Sequence, residues 1–111
     1  PRAAAMVHQC GVGTTAQGLR AGIPMLAVPF AHDQYDNGSR IERLGVARTV
    51  ARNSYKAERV ASELKELLGN PSYARCAREV GSRVRSESGA ALAVDLILDQ
   101  LNKRRSERFV A

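Results

Sequence analysis

The chain of 111 residues carries 17 Lys and Arg against 11 Asp and Glu, a formal net charge of +6. That length supports one small domain, and with 5% aromatic residues the sequence offers no base-stacking platform for a nucleic-acid partner. Two cysteines give neither a disulfide framework nor a metal-binding spacing, so we expect no metal site and a cytoplasmic location. The longest apolar stretch, residues 21–31, contains two prolines and is too short to span a membrane.

The first predicted elements are a strand, a glycine-rich turn and a helix. Residues 3–7 are a continuous apolar run, which is typical of a parallel strand covered on both faces. Gly11 and Gly13 permit a tight turn and a close approach of a ligand to the backbone. A helix over residues 14–21 follows, with Gly22 as its stop signal.

The start of that helix is the first candidate binding site. Unpaired amides and the hydroxyls of Thr14 and Thr15 face the space beyond the strand, where an anion fits. The segment lacks the Lys of a P-loop and a complete Gly-x-Gly-x-x-Gly, so an ordinary strand-to-helix turn remains an alternative.

A second strand, Met25–Val28, also ends in polar residues before a helix over residues 36–44. Open α/β sheets bind ligands at the carboxyl ends of their strands, so both polar clusters are expected at one edge. Asp33 accepts hydrogen bonds and Gln34 accepts and donates them, a pairing suited to sugar hydroxyls. The alternatives are a helix N-cap for Asp33 and a solvated loop position for Gln34.

The rest of the chain is predicted to be mainly helical. A short third strand is expected at Arg48–Ala51, and Asn53–Ser54 are expected to cap the next helix, with Asn70 capping the one after it. The three predicted helices cover residues 55–68, 71–85 and 90–103. The last has an apolar surface too broad for one neighbouring helix.

From His8 to Val50 the sequence resembles the donor-binding signature of GT-B nucleotide-sugar glycosyltransferases of the UDP-glycosyltransferase type. The shared features are Gly-Thr-Thr, Ala-Gly-Ile-Pro, an apolar strand ending in Pro, and then Asp-Gln and Asn. The later helices resemble the family's C-terminal end less specifically. The resemblance implies an α/β fold: half of a Rossmann-like GT-B C-terminal domain, about three parallel strands with flanking helices and a helical tail. Residues 1–111 would then be the C-terminal part of a donor-binding domain, a fragment of a longer protein.

The resemblance also implies roles for individual residues. Gln9 stands where relatives commonly have a His that contacts the diphosphate, so it offers a hydrogen bond without charge assistance. Gln17 stands where many relatives place a Glu on the ribose, and Asp33 and Gln34 match the pair that reads the sugar. The expected diphosphate-binding residues are Gln9, Gly11, Gly13, Thr14 and Thr15.

The function implied by the resemblance is transfer of a sugar from a UDP- or dTDP-sugar to a small-molecule or lipid hydroxyl, without an obligatory metal. The family's catalytic base belongs to an N-terminal acceptor domain, so no catalytic residue is expected here and the chain alone should be inactive. The alternative is a non-catalytic nucleotide- or phosphate-binding module. Because the strands resemble the family's strands four to six, the first would have a bare edge, which predicts a homodimer of the fragment.

Overall fold

The computed structural model of the protein describes residues 2–110, which form a three-stranded parallel sheet with helices on both faces. The strands are β1 (Met6–His8), β2 (Met25–Ala27) and β3 (Ala47–Thr49), in the order β1-β2-β3. Met6 pairs with Met25, which in turn pairs with Ala47. This topology confirms the predicted half of a Rossmann-like domain.

Five α-helices accompany the sheet within the described residues. The first two connect consecutive parallel strands, as parallel pairing requires, and the other three follow a 3-10 turn at Arg52–Ser54. Their bounds are α1 (Val12–Ala21), α2 (Gln34–Arg43), α3 (Ala57–Gly69), α4 (Pro71–Ser86) and α5 (Gly89–Val110). None of the helices in residues 2–110 has the length and apolar character needed to cross a bilayer.

The core lies on both faces of β2, whose residues alternate between two clusters. Met25 and Ala27 pack with residues of α2 and α4, including Ile41 and Val80. Leu26 lies on the opposite face, in the cluster that contains Leu67 of α3. Because β2 is fully buried between these two clusters, the carboxyl end of the strand is held in a fixed position relative to the helices.

The close packing of α1 on α4 depends on a glycine. A Cβ on Gly81 would lie 2.7 Å from the Cα of Gly22 and 2.9 Å from the carbonyl oxygen of Leu19. Gly22 itself has a left-handed φ of 68° and ends α1, as the sequence predicted. The two helix backbones therefore approach too closely for any side chain at position 81.

The predicted first strand began too early. Pairing starts only at Met6, whose amide donates to the carbonyl oxygen of Pro24 at 2.9 Å. The chain before Met25 is occupied by the turn that ends α1, so residues 3–5 have no strand opposite them. The third strand begins one residue earlier and ends two residues earlier than predicted, because Ala51 is already the N-cap residue of the 3-10 turn.

The predicted cap of α3 was also wrong. Asn53 and Ser54 lie in the 3-10 turn, where the amide of Ser54 donates to the carbonyl oxygen of Ala51 at 2.8 Å. The helix begins at Ala57 with Lys56 as its N-cap residue. In contrast, Asn70 caps α4 as predicted, since its Oδ1 accepts from the amide of Ser72 at 3.1 Å.

The last helix, α5, is seven residues longer at its C-terminal end than predicted, because residues 104–110 contain no helix breaker. Every residue in it is exposed. Its large apolar side chains are 51–59% exposed over residues 92–101 and 88% exposed at residues 109 and 110. These are Leu92, Val94, Leu96, Ile97, Leu98, Leu101, Phe109 and Val110.

Candidate functional site

The start of α1 provides a row of free amides at the carboxyl end of β1. The first bond within the helix runs from the amide of Thr15 to the carbonyl oxygen of Gly11 at 2.9 Å. The four preceding amides, those of residues 11–14, therefore have no acceptor within the helix, and no side chain of residues 2–110 caps it. We call these four amides the amide row. Together with the positive end of the helix dipole they make a position that favours an anion.

The predicted reason for the turn before the amide row was wrong in one respect. Gly11 was expected to supply the tight turn, but its φ and ψ are −59° and 143°, values open to any residue. The left-handed residue is Cys10, with a φ of 69°. Its side chain is fully buried, and burial raises the pKa of the thiol to about 11. The thiol is therefore a packing group, not a nucleophile.

Two side chains hold the Cys10 peptide groups in this conformation. The Cys10 amide donates to Nδ1 of His8 at 3.0 Å, and the Cys10 carbonyl oxygen accepts from Nδ2 of Asn37 at 3.0 Å. His8 is buried at the end of β1, with its Nε2 3.2 Å from the sulfur of Met25. Burial lowers the pKa of His8, which favours the neutral ring whose Nδ1 can accept.

The predicted diphosphate-binding residues do not all lie in one environment. Gly13 and Thr14 are exposed within the amide row, and a Cβ on Gly13 would meet nothing within 4 Å. Gln9 is also exposed, with its Nε2 3.7 Å from the position of a Cβ on Gly11. Thr15 differs, because its amide is used inside the helix and its hydroxyl is buried without a partner among residues 2–110. In this conformation Thr15 offers neither group to a ligand.

The predicted ribose-binding residue, Gln17, is exposed on α1, three positions after Thr14. Residues three apart are neighbours on a helix surface. The side chain of Gln17 therefore lies on the same side of α1 as the hydroxyl of Thr14, one turn away from the amide row.

The predicted sugar-binding pair lies where the chain after β2 enters α2, with Asp33 as the N-cap residue and Gln34 as the first residue of the helix. Gln34 uses its Oε1 to accept from the amides of Phe30 and Ala31, at 2.8 and 3.1 Å. Its acceptor is thus occupied in folding the loop, and its Nε2 remains to donate. Asp33 is exposed, and one of its oxygens, Oδ2, accepts from Nδ2 of Asn37 at 3.0 Å. The pair therefore combines an acceptor with a donor.

Asn37 is the functional position that sequence reasoning left without a role. It lies four residues after Asp33 in the first turns of α2, and the same nitrogen contacts Asp33 and the carbonyl oxygen of Cys10. These contacts show that the two polar clusters meet at one edge of the sheet, as predicted. The spacing of four residues between Asp33 and Asn37 was the available signal, because it places both on one helix face.

Residues 1–99 match the protein family described as the erythromycin biosynthesis protein CIII-like C-terminal domain. The chain belongs to this family. The match covers the whole of the site and most of the helical part, so the resemblance to GT-B glycosyltransferase C-terminal domains is confirmed.

Proteins with sequences similar to this chain include glycosyltransferases. The chain is 37% identical over 106 residues to a sterol 3-beta-glucosyltransferase from Pichia angusta, covering 96% of this chain and 8% of that protein. It is 33% identical over 102 residues to the oleandomycin glycosyltransferase of Streptomyces antibioticus, covering 92% of this chain and 24% of that enzyme. The chain thus spans a quarter or less of these relatives.

Solved structures of glycosyltransferases share the fold. The glycosyltransferase of kitacinnamycin superposes with a TM-score of 0.82 at 30% identity, covering 89% of this chain and 26% of that one. The glycosyltransferase VinC, solved in complex with dTDP, superposes with a TM-score of 0.70 at 27% identity, covering 75% of this chain and 21% of that one. The EryCIII-like domain described here therefore has the architecture of one part of a glycosyltransferase.

Proposed function

We propose that this EryCIII-like domain binds the nucleotide-sugar donor of a glycosyltransferase that transfers a sugar to a small-molecule or lipid hydroxyl. The observation that carries the proposal is the amide row, which lies at the carboxyl end of β1 beside Asp33 and Gln34. VinC was solved in complex with dTDP, and the sterol and oleandomycin relatives are glycosyltransferases. A nucleoside diphosphate is therefore the ligand class that fits both the geometry and the relatives.

In this proposal the amide row and the Thr14 hydroxyl bind the diphosphate. They act as preorganised donors for the negative charge that grows on the leaving diphosphate during transfer. Gln9 adds a neutral donor at the same place. Thr15 would reach the diphosphate only after the first turn of α1 opens, because its amide bonds to Gly11 and its hydroxyl is buried. Gln17 extends toward the ribose hydroxyls.

The sugar is proposed to lie between Asp33 and Gln34. The carboxylate of Asp33 accepts from one sugar hydroxyl, and Nε2 of Gln34 donates to another. Because Oε1 of Gln34 is already used by two amides of its own loop, the orientation of that Nε2 is fixed before the sugar arrives. Such preorganisation lowers the entropic cost of binding a sugar hydroxyl in that one orientation.

The catalytic base and the acceptor pocket are proposed to lie in a separate N-terminal domain, so this chain alone is expected to be inactive. Either UDP or dTDP fits the amide row, and independence from metal remains part of the proposal. The cytoplasmic location and the homodimer also remain predictions. The location rests on two unpaired cysteines, and the homodimer on the position of β1 at an edge of the sheet and on the exposed α5.

The proposal is tested by titrating the chain with UDP, dTDP and their glucose conjugates while recording amide resonances by NMR. The amides of residues 11–14 should shift first. Thr14→Ala removes a hydrogen bond to a charged group, so binding of nucleotide and sugar donor should both weaken about tenfold or more. Ser62→Ala, at an exposed helical position of α3, is the matched control and should change nothing.

Asp33→Ala separates sugar binding from diphosphate binding. It should weaken UDP-glucose or dTDP-glucose more than the free nucleotide. Equal losses for both ligands would show that Asp33 does not read the sugar. Equal affinity of the unaltered chain for nucleotide and conjugate would favour a phosphate-binding module, and shifts confined to residues 103–105 would contradict the site altogether.

A further inference from the structure

The side-chain amide of Asn37 joins the two loops of the proposed donor site. Its Nδ2 donates to the carbonyl oxygen of Cys10 and to Oδ2 of Asp33, both at 3.0 Å. One amide nitrogen carries two protons, so it can serve both acceptors at once. The opposite orientation would turn the Asn37 oxygen toward two other oxygens, so the hydrogen-bond pattern fixes which way the amide points.

The acceptor at Cys10 is a strained point of the backbone. A residue with a Cβ in the left-handed region is disfavoured by about 1–2 kcal/mol, yet Cys10 has a φ of 69° and is followed directly by the N-cap residue of α1. His8 holds the amide of Cys10 and Asn37 holds its carbonyl group. The direction of the Cys10 carbonyl fixes the next peptide plane, which contains the first amide of the amide row.

We propose that Asn37 is a positioning residue that couples Asp33 to the amide row through the Cys10 peptide. The proposal rests on the donor site proposed above. A sugar hydroxyl that donates to Asp33 changes the hydrogen bond between Asp33 and Asn37. This change reaches the Cys10 carbonyl group because the same nitrogen of Asn37 donates to it. The site would thus sense whether the bound diphosphate carries a sugar.

A double-substitution cycle on the unliganded chain tests this coupling. Asp33→Ala should shift the NMR amide resonances of residues 11–14 in the otherwise unaltered chain. In an Asn37→Ala background the same Asp33→Ala change should leave those resonances in place, since the connection is already lost. A merely structural Asn37 would give additive shifts. If Asn37→Ala fails to fold, the Asp33→Ala variant still tests the coupling, because unchanged resonances of residues 11–14 in that variant would overturn it.

Affinity for UDP provides the second measurement. Asn37→Leu keeps the approximate size and the net charge but removes the donor, and should weaken UDP binding roughly 5- to 10-fold, within the usual range of coupling between sites. Asn102→Leu is the control, because it makes the same substitution on exposed α5, and should leave the affinity unchanged. Equal effects of the two Asn-to-Leu variants would overturn the proposal.

The two proposals fail in different ways. If the unaltered chain binds neither UDP nor dTDP, the donor site is wrong, while the unliganded cycle still decides whether Asn37 couples Asp33 to the amide row. If the chain binds UDP and the shifts of residues 11–14 are additive in the cycle, the donor site stands and the role of Asn37 is refuted.

Discussion

The substitution Glu63→Gln should destabilise the fold far more than breaking an exposed ion pair does. Glu63 lies on α3 and is 5% exposed. Its carboxylate accepts a hydrogen bond from Nε of Arg48 on β3 and forms an ion pair with Nη2 of Arg59, one turn earlier on α3, at 2.9 Å. Arg48 also donates to the hydroxyl of Tyr73 on α4 at 3.0 Å. The carboxylate therefore ties the edge strand to α3, and Arg48 extends the network to α4.

The expected loss follows from the exposure of the charges that remain. Removing one partner of a fully buried pair costs about 3–5 kcal/mol. Here the side chains of Arg48 and Arg59 are 32% and 57% exposed, so both regain water, and Arg48 keeps its bond to Tyr73. We therefore expect Glu63→Gln to cost about 2–3 kcal/mol, just below that range. Asp36→Asn breaks a pair that is more than half exposed on both sides and should cost at most about 0.5 kcal/mol.

Urea denaturation of both variants at pH 7 measures the two free energies of unfolding. The hydrogen bond from Arg48 is the main cause that lowers the pKa of Glu63 below its ordinary 4.5. The unfolded chain therefore takes up this proton first as the pH falls, so the stabilisation is present above about pH 4.5 and disappears below it. The difference between the unaltered chain and Glu63→Gln should shrink over that range. Equal losses for the two variants at pH 7 would refute the reasoning.

Two further changes test the packing and the turn. Gly81→Ala forces a Cβ against the backbone of Leu19 and Gly22 and should lower the free energy of unfolding by about 1–3 kcal/mol. In the control, Gly69→Ala, the added Cβ meets nothing within 4 Å, so the change should be neutral or slightly stabilising. Equal melting temperatures of the two variants would contradict the close approach of α1 and α4. Because burial lowers the pKa of His8, the unfolded chain binds its proton more readily, so stability should fall as the pH drops below about 6.5, by at most about 1.4 kcal/mol per pH unit. His8→Asn should flatten that slope, and an unchanged slope would show that His8 is not responsible for it.

The sequence predicted the sheet and the identity of the helices because their signals are local. Apolar runs that end in polar residues mark parallel strands, and a glycine such as Gly22 or a cap such as Asn70 marks a helix end through its own backbone chemistry. The exact strand limits depend instead on what lies opposite. Residues 3–5 are as apolar as a strand, and only the turn before Met25 leaves them unpaired.

Within the candidate site, the sequence predicted which residues lie together but not how each is used. Thr14 and Thr15 are chemically alike in the sequence, and the helix start at Val12 separates an exposed hydroxyl from a buried one. The left-handed backbone of Cys10 was not predicted either, because the neighbouring Gly11 and Gly13 are the residues that a tight turn normally favours. Such assignments depend on tertiary hydrogen bonds, which local propensity does not encode.

The geometry of the turn bears on how strongly an anion can be held there. Residues 8–18 contain no Lys or Arg, and the two side chains that orient the Cys10 peptide are an amide and an imidazole that burial keeps neutral. A protonated Nδ1 would have no lone pair for the Cys10 amide. Attraction must therefore come from oriented peptide dipoles, which are short-ranged and depend on direction. For the proposed site, affinity for an anion would therefore depend on keeping the amide row fixed, which is what the neutral contacts of His8 and Asn37 with the Cys10 peptide groups do.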